Sequence, residues 1–185
     1  SAERVLDALD ADVDVQVDTD VPIGTGFGVS GAIALGVSYA SNVLGHATRT
    51  ENELIELAHR AEVASSTGLG DVVAQAHGGA PIRLAPGAPG HGQIDGIPER
   101  RRVEYLSFGE LSTTDILGED TATIDRIGRA ALETVRQEPT LDRFLAASRR
   151  FAGETGLMDE TVRSVIDDVE TAGGAASMAM LGRTV

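Results

Sequence analysis

The sequence predicts an α+β fold, and three observations support this prediction. Apolar residues recur at helical spacing in several segments, and between these segments lie short runs with the alternation or the β-branched and aromatic content of strands. A glycine-rich loop at residues 24–31 separates an alternating run from a small-residue apolar run, which gives the order strand, loop, helix. With 185 residues, 42% of them hydrophobic, the chain is long enough to bury a core.

The composition excludes many functions. All 15 basic residues are Arg, and Lys, Cys and Trp are absent, which removes Schiff-base lysines, the Walker A loop, thiol nucleophiles, thiolate zinc sites and disulfides. The 29 acidic residues bring the net charge to −14, so we expect neither nucleic acid nor an anionic membrane as a partner. No apolar run reaches the roughly 18 residues of a spanning helix, and we expect a cytoplasmic protein. Abundant acid without Lys is typical of a halophilic or GC-rich host, which is a hypothesis about the source.

Each element in the first part of the chain is predicted from a local pattern. Residues 3–9 have helical spacing, and residues 13–17 alternate Val with Asp or Gln, as a half-exposed strand does. After the glycine loop, the small apolar residues 32–44 predict a helix. Thr50, with Glu53 three residues later, forms a capping box that begins the next helix.

Glycines separate the elements that follow. Gly68 and Gly70 end the second long helix, residues 71–77 show a short helical pattern, and residues 82–84 indicate a strand. Residues 85–99 are rich in Gly and Pro, and they predict a surface loop at a domain boundary.

The second part of the chain repeats the mixture of strand and helix. Residues 103–108 contain Val, Tyr, Leu and Phe and predict a strand, and helical spacing covers residues 124–135, 141–151 and 162–169. The small apolar residues 175–184 end the chain without an assigned element.

The glycine loop, Pro22-Ile-Gly-Thr-Gly-Phe-Gly-Val-Ser-Gly31, is the strongest chemical signal. Its glycines let the backbone approach an anion, and the helix that follows directs free N–H groups and its dipole at that anion. We therefore expect bound phosphate, with a purely structural turn as the alternative. The glycine register also satisfies the dinucleotide fingerprint. However, the preceding run is unlike a buried parallel strand, and Glu51 opens a helix where the ribose-binding acid should end a strand.

Polar residues downstream of the loop are candidates for the chemistry. Ser30 lies in the first helical turn, where its hydroxyl can cap the backbone or bind phosphate-bound magnesium. His59 and Glu62 are three residues apart and share a helix face. Asp71 follows a glycine turn, either as a helix N-cap or as an acid returned towards that helix, and Arg83 lies on the next predicted strand.

These motifs together resemble the GHMP kinases. The loop is similar to the family's second motif, and four further blocks look like the archaeal pantoate kinases within it: Ala58-His-Arg-Ala-Glu-Val63, Thr67-Gly-Leu-Gly-Asp-Val72, Gly78-Gly79 and Leu111-Ser-Thr113. The resemblance covers essentially the whole chain. It implies the two-layer α+β GHMP kinase architecture, with a ribosomal S5 domain 2-like half at residues 1–100 and a ferredoxin-like half at residues 101–185.

The resemblance also implies a reaction, which is transfer of the γ-phosphoryl group of ATP to the primary hydroxyl of pantoate. The product would be 4-phosphopantoate, on the archaeal route to coenzyme A. Asp71 would be catalytic, Ser30 and Glu62 would hold Mg²⁺, and His59, Arg83 and Thr113 would bind pantoate. The expected ATP-binding residues are Pro22, Gly24, Thr25, Gly26, Phe27, Gly28, Val29, Ser30 and Gly31.

The chemistry is compatible with a chain that lacks Lys. Phosphoryl transfer requires alignment and neutralisation of charge on the phosphoryl oxygens, which backbone N–H groups, a helix terminus and a metal can supply. A carboxylate acceptor in an acidic protein requires a local cation, and Arg can form a bidentate pair. Arg83 is the first candidate, with Arg100, Arg101 and Arg102 as alternatives.

Departures from the family pattern limit these expectations. The family's N-terminal motif has no counterpart, and its third motif is represented only by residues 173–182. We therefore expect a fragment with an incomplete acceptor pocket and weak or no activity. The alternatives are a GHMP kinase acting on homoserine, shikimate or mevalonate, a non-catalytic nucleotide-binding member, and a NAD-type oxidoreductase. A homodimer is left open.

Overall fold

The structure, a computed structural model, describes residues 1–45, 47–68, 70–111 and 122–185. These residues fall into two compact units, Ser1–Pro22 with Gly28–Asp95, and Ile23–Phe27 with Gly96–Val185, called unit 1 and unit 2 here. The helices described are α1 (Ala2–Leu9), α2 (Val29–Leu44), α3 (Glu51–Ala64), α4 (Asp71–His77), α5 (Ala122–Gln137), α6 (Leu141–Glu154) and α7 (Glu160–Thr171). The strands are β1 (Ala80–Ala85), β2 (Gln93–Ile97), β3 (Ser107–Glu110) and β4 (Gly182–Thr184).

Helix α2 organises unit 1, because its many small residues let neighbouring helices approach closely. It packs against α1, α3 and α4, and its buried face includes Gly31, Ala34 and Ser38. Apolar side chains of all four helices form one core, whose buried members are Val5, Ala34, Leu35, Val37, Ile55, Ala58, Ala61, Val72 and Val73. The starts of α2 and α4 and the end of α3 are thereby held in a fixed arrangement.

Helix α3 begins as the sequence predicts. The Thr50 hydroxyl accepts a hydrogen bond from the Glu53 N–H at 3.4 Å, and a Glu53 carboxylate oxygen accepts one from the Thr50 N–H at 2.7 Å. This reciprocal capping box satisfies backbone donors that have no partner inside the helix. The predicted capping box is therefore confirmed.

Unit 2 contains helices α5, α6 and α7 and the antiparallel pair β3–β4. Ser107 lies opposite Thr184 and Glu110 lies opposite Gly182, while the Leu111 N–H donates to the Gly24 carbonyl at 3.0 Å. The main apolar cluster consists of Ala152, Met158, Val162, Ile166 and Met178. The short segment Ile23–Phe27 therefore lies alongside the end of β3.

Three of the predicted elements are wrong in place or extent. The strand predicted at residues 103–108 begins only at Ser107, where β3 starts. Residues 13–17 do not form a strand, and Val15 and Val17 remain 42% and 47% exposed. Within the described ranges no strand pairs with them, so the alternation has no ladder to join. Residues 85–99 are not entirely loop, because they contain β2, which pairs with β1.

The α+β class predicted from the sequence is confirmed by this mixture of helices and small sheets. None of the helices that the structure describes is long and apolar enough to cross a bilayer.

Candidate active site

The site is built around the N-terminus of α2. Gly28 is its N-cap residue and has a left-handed backbone, with φ of 62°, and as a glycine it has no side chain to cap the first turn. A Cβ on Gly28 would lie 2.8 Å from the Asp71 Cβ, and one on Gly31 would lie 3.2 Å from that same atom. Only glycine lets α4 approach α2 this closely. The first N–H groups of α2 have no partner inside the helix and open next to Asp71.

Ser30 and Glu62 form a directly bonded pair beside this helix terminus. The Ser30 hydroxyl donates to Glu62 Oε2 at 2.8 Å, so the hydroxyl is directed at the carboxylate rather than at the backbone of its own helix. Glu62 is only 1% exposed, and its Oε1 has no hydrogen-bond partner within the part of the chain that the structure describes. A buried carboxylate oxygen without a partner is costly unless a ligand or ion satisfies it.

A glycine turn brings a second carboxylate to this pair. A Cβ on Gly68 would lie 2.8 Å from Glu62 Oε2 and 3.1 Å from Asp71 Oδ2, so both acids face the same small residue. Asp71 is the first residue of α4, whose N-cap is Gly70. The N-cap alternative for Asp71 is therefore wrong.

Burial and charge set the protonation of this cluster. Burial, and then the negative charge of Glu62, raise the pKa of the Asp71 carboxyl, while the positive charge of Arg83 opposes the rise. Burial, and then Arg83, lower the pKa of the His59 imidazole, and Glu62 acts in the other direction. His59 is thus neutral at pH 7 and offers one N–H donor and one acceptor.

His59 lies one turn before Glu62 and is 8% exposed. Its Nδ1 has no hydrogen-bond partner among the described residues. Its electrostatic interaction with both Glu62 and Arg83 places it in the same cluster. The spacing of His59 and Glu62 on one helix face therefore predicted their proximity correctly.

Arg83, on β1, is fixed by the backbone. Its Nη1 donates to the Gly70 carbonyl at 2.9 Å and its Nη2 donates to the Gly87 carbonyl at 3.1 Å, whereas Nε has no partner in the described ranges. Arg83 also borders a cavity of about 480 Å³ in unit 1, whose apolar wall includes Ile55 and Val73. The guanidinium thus anchors the turn before Asp71 and retains donors for a ligand.

Two of the three alternative cations, Arg101 and Arg102, form ion pairs elsewhere. Arg101 pairs with Glu99 and Asp142, both at 2.7 Å, and Arg102 pairs with Glu104. These exposed pairs fit a solvated edge.

The remaining predicted residues are divided between the two units. Pro22, Gly28, Val29, Ser30 and Gly31 belong to unit 1, and Gly24, Thr25, Gly26 and Phe27 belong to unit 2. In unit 2 the Phe27 ring packs edge-on against Tyr105, with 5.0 Å between ring centroids. Thr113 lies outside the described residues.

Gln75 is a residue of the site that the sequence analysis missed. It lies one turn after Asp71 on α4, and its Nε2 donates to the Gly28 carbonyl at 2.9 Å. The spacing of four residues from a candidate catalytic acid could have identified it.

The oxygen atoms of the site suit a hard cation only if a bound ligand supplies further oxygen atoms. Within the described ranges no group of three or more His, Asp or Glu side chains is arranged to hold a metal. Ser30 and Glu62 supply oxygen atoms, and one of these is the buried Oε1 that lacks a partner. Mg²⁺ is commonly held by one or two such protein oxygens together with phosphate oxygens and water.

The dinucleotide alternative does not fit the local fold. The glycine loop is not preceded by a strand in the segment 11–20, which the structure describes, whereas a dinucleotide fold requires a strand directly before its glycine turn. The NAD-type oxidoreductase interpretation loses its structural basis.

Several known proteins are similar to this chain. The GHMP kinases N terminal domain matches residues 1–79. A pantoate kinase of Thermococcus kodakarensis is 36% identical over 163 residues, which cover 86% of this chain and 54% of the relative. A pantoate kinase of Methanocaldococcus jannaschii is 34% identical over 176 residues, which cover 94% of this chain and 64% of the relative.

A solved structure agrees with the sequence relatives. A phosphotransferase related to the CoA biosynthesis pathway superposes with a TM-score of 0.80 at 31% identity, covering 99% of this chain and 62% of that protein. The chain therefore spans between about half and two thirds of the length of the relatives it matches. By its motifs, its N-terminal match and its fold, this chain belongs to the GHMP kinase superfamily and is pantoate kinase-like.

Proposed function

We propose that this chain contains the phosphoryl-transfer site of an ATP-dependent kinase that phosphorylates the primary hydroxyl of pantoate in coenzyme A biosynthesis. The supporting observation is that Asp71 abuts Gly28 at the uncapped N-terminus of α2, with the bonded pair Ser30–Glu62 beside it. The similarity to pantoate kinases supports the choice of acceptor.

The phosphates of ATP would be bound by backbone rather than by Lys. An uncapped helix terminus presents several N–H groups to one anion, and its dipole favours negative charge. Gly28 and Gly31 carry no side chains that would obstruct this terminus. Phosphate contacts from Gly24, Thr25, Gly26 and Phe27 stay predictions.

Ser30 and Glu62 would hold Mg²⁺ together with the nucleotide. When bound, the cation would neutralise charge on the phosphate oxygens. The unpartnered Oε1 of Glu62 fits this role, because a cation would satisfy a buried oxygen atom.

Asp71 would accept the proton of the acceptor hydroxyl. Its raised pKa makes the carboxylate a stronger base than an exposed Asp. Arg83 and the N–H of neutral His59 would bind the pantoate carboxylate. The branched apolar body of pantoate also suits the apolar wall of the cavity that Arg83 borders. A role for Thr113, a cytoplasmic location and a homodimer stay predictions.

Asp71→Asn tests the proposed chemistry. We expect ADP formation with pantoate to fall by about 10²–10⁴-fold, while calorimetric ATP affinity changes little, because the amide keeps the shape of the carboxyl. Asp168→Asn, at an exposed position on α7, is the matched control and should keep full turnover. Equal turnover in the two variants would contradict the catalytic role of Asp71.

The acceptor is tested separately with a panel of pantoate, homoserine, shikimate and mevalonate. We expect ADP release with pantoate. Release with another member alone would overturn the acceptor assignment and leave the kinase assignment intact.

A further inference from the structure

The side chain of Gln75 contacts the backbone at the start of the phosphate-binding helix. Its Nε2 donates to the Gly28 carbonyl at 2.9 Å, and the same carbonyl accepts from the Ala32 N–H at 3.0 Å. A carbonyl oxygen has two lone pairs, so both bonds can form together. A Cβ on Gly28 would also lie 2.8 Å from this Nε2, which shows how closely α4 approaches the loop.

This contact fixes more than the position of the carbonyl oxygen. The peptide group is planar and trans, so the Gly28 carbonyl and the Val29 N–H point in opposite directions. Val29 is the first residue of α2, and its N–H has no partner inside the helix. A side chain that holds the carbonyl therefore also sets the direction of the first free N–H.

Because the backbone of Gly28 is left-handed, a hydrogen bond that fixes its peptide group is useful. Its φ of 62° and ψ of 35° lie in a region that glycine enters and leaves at little cost, and Gly28, as the N-cap residue, has no side chain to cap α2. Of the two bonds to the Gly28 carbonyl, only the one from Gln75 comes from outside α2. It comes from the helix that carries Asp71.

We propose that Gln75 is a positioning residue that holds the Gly28–Val29 peptide so that the Val29 N–H faces the bound phosphates. The inference rests on the proposed function, since it assumes that this helix terminus binds the nucleotide. Gln75 itself would not touch the reacting atoms. Its effect should appear in phosphate affinity, not in the chemical step.

Gln75→Leu removes the donor while nearly preserving the side-chain volume. We expect calorimetry to show about tenfold weaker binding of inorganic tripolyphosphate, and the KM for ATP to rise by a similar factor, as for loss of one oriented hydrogen bond to a charged group. The kcat and the KM for the acceptor should stay within about twofold. Gln137→Leu, the same change at an exposed position on α5, is the matched control.

Each outcome bears on the inference. An unchanged affinity for tripolyphosphate in folded Gln75→Leu would overturn the inference. A rise in both KM values together with a fall in kcat and a lowered melting temperature would also overturn it. If Gln75→Leu does not fold, Gln75→Asn takes its place, because its amide is one methylene too short to reach Gly28.

The inference and the proposed function fail differently. ADP release with another member of the acceptor panel alone, together with the expected tripolyphosphate difference, would support the role of Gln75 and reject pantoate as the acceptor. Failure of the unmodified 185-residue chain to bind either ATP or tripolyphosphate would overturn both.

Discussion

The carboxylates of Asp71 and Glu62 lie around one glycine, Gly68, in a partly buried environment. Such an arrangement opposes folding, because burial and the like charge of Glu62 both disfavour the ionised form of Asp71. Arg83 offsets part of this effect through its positive charge. Perturbed groups of this kind are common at functional sites, and the carboxylate of Asp71 lies beside the N-terminus of α2, the proposed phosphate site.

Asp71→Asn should therefore stabilise the protein at neutral pH. The pKa of the Asp71 carboxyl is higher in the folded chain than its ordinary value of 3.8. The stabilising effect of its proton is complete below the unfolded pKa and is lost as the pH rises through the folded pKa. We expect the melting temperature of the variant to exceed that of the parent at pH 7 by about 2–4 °C, corresponding to about 1 kcal/mol.

The difference in melting temperature should shrink as the pH falls below the usual pKa range of Asp, because the side chain at position 71 is then neutral in both proteins. Melting curves between pH 3 and pH 8, recorded alongside exposed Asp168→Asn, check this expectation. A constant gain at every pH would show that ionisation of Asp71 is not its source.

Gly28→Ala should lower the free energy of unfolding by about 1–3 kcal/mol, because alanine is strained at positive φ. Its Cβ would also meet Asp71 and Gln75 at 2.8 Å. Gly36→Ala is the control in the same helix, where a Cβ would meet nothing within 4 Å. It should stabilise by about 0.5–1 kcal/mol. Urea unfolding of both variants checks the pair, and equal effects would contradict the close packing at Gly28.

The site could be predicted in part from the sequence. Spacing placed His59 and Glu62 on one face, and the glycine turn indicated the return of Asp71. The spacing from Asp71 could have identified Gln75, but its contact with Gly28 and the anchoring of Arg83 were not predictable in the same way. Their partners are the backbone carbonyls of Gly28, Gly70 and Gly87, and no residue pattern records where a carbonyl points.

At the scale of elements, helices with local start signals were predicted best. The bonds that begin α3 and α7 lie within four residues of sequence, so a short window contains the necessary information. Strands require a distant partner. Residues 13–17 alternate as a strand does but have no pairing partner among the described strands, whereas β4 at the chain end pairs with β3 across more than 70 residues.

Thr50→Ala tests how much the capping box contributes to α3. We expect the free energy of unfolding to fall by about 0.5–2 kcal/mol, because the Glu53 N–H loses its acceptor. Thr48→Ala, an exposed position two residues earlier, should change it by less than about 0.5 kcal/mol. Urea denaturation compares the two, and equal losses would indicate that the cap is not the stabilising contact.

At the scale of the whole molecule, charge is the dominant feature. A net charge of −14 in 185 residues produces self-repulsion that opposes the compact state. The segment before the glycine loop adds several exposed acids, among them Asp12, Asp14 and Asp18. Salt should relieve this repulsion by screening.

The melting temperature should rise by several degrees as KCl is added, with most of the gain complete by about 1 M, where the Debye length is about 3 Å. Replacing Asp12, Asp14 and Asp18 with Asn should flatten the salt dependence, because fewer repulsions remain to be screened. Differential scanning calorimetry checks both. A melting temperature that does not respond to KCl would argue against the halophilic interpretation of the composition.

A short stretch, Ile23–Phe27, belongs to unit 2 although the chain on both sides of it belongs to unit 1. A hydrogen bond from the Leu111 N–H to the Gly24 carbonyl holds this stretch in unit 2. Gly182 also packs closely against it, since a Cβ there would overlap the backbone of Thr25. The protein is therefore not modular in sequence. A single cut after Asp95 would deprive the C-terminal piece of a part built into it, and recombination between relatives would have to exchange two separate stretches together.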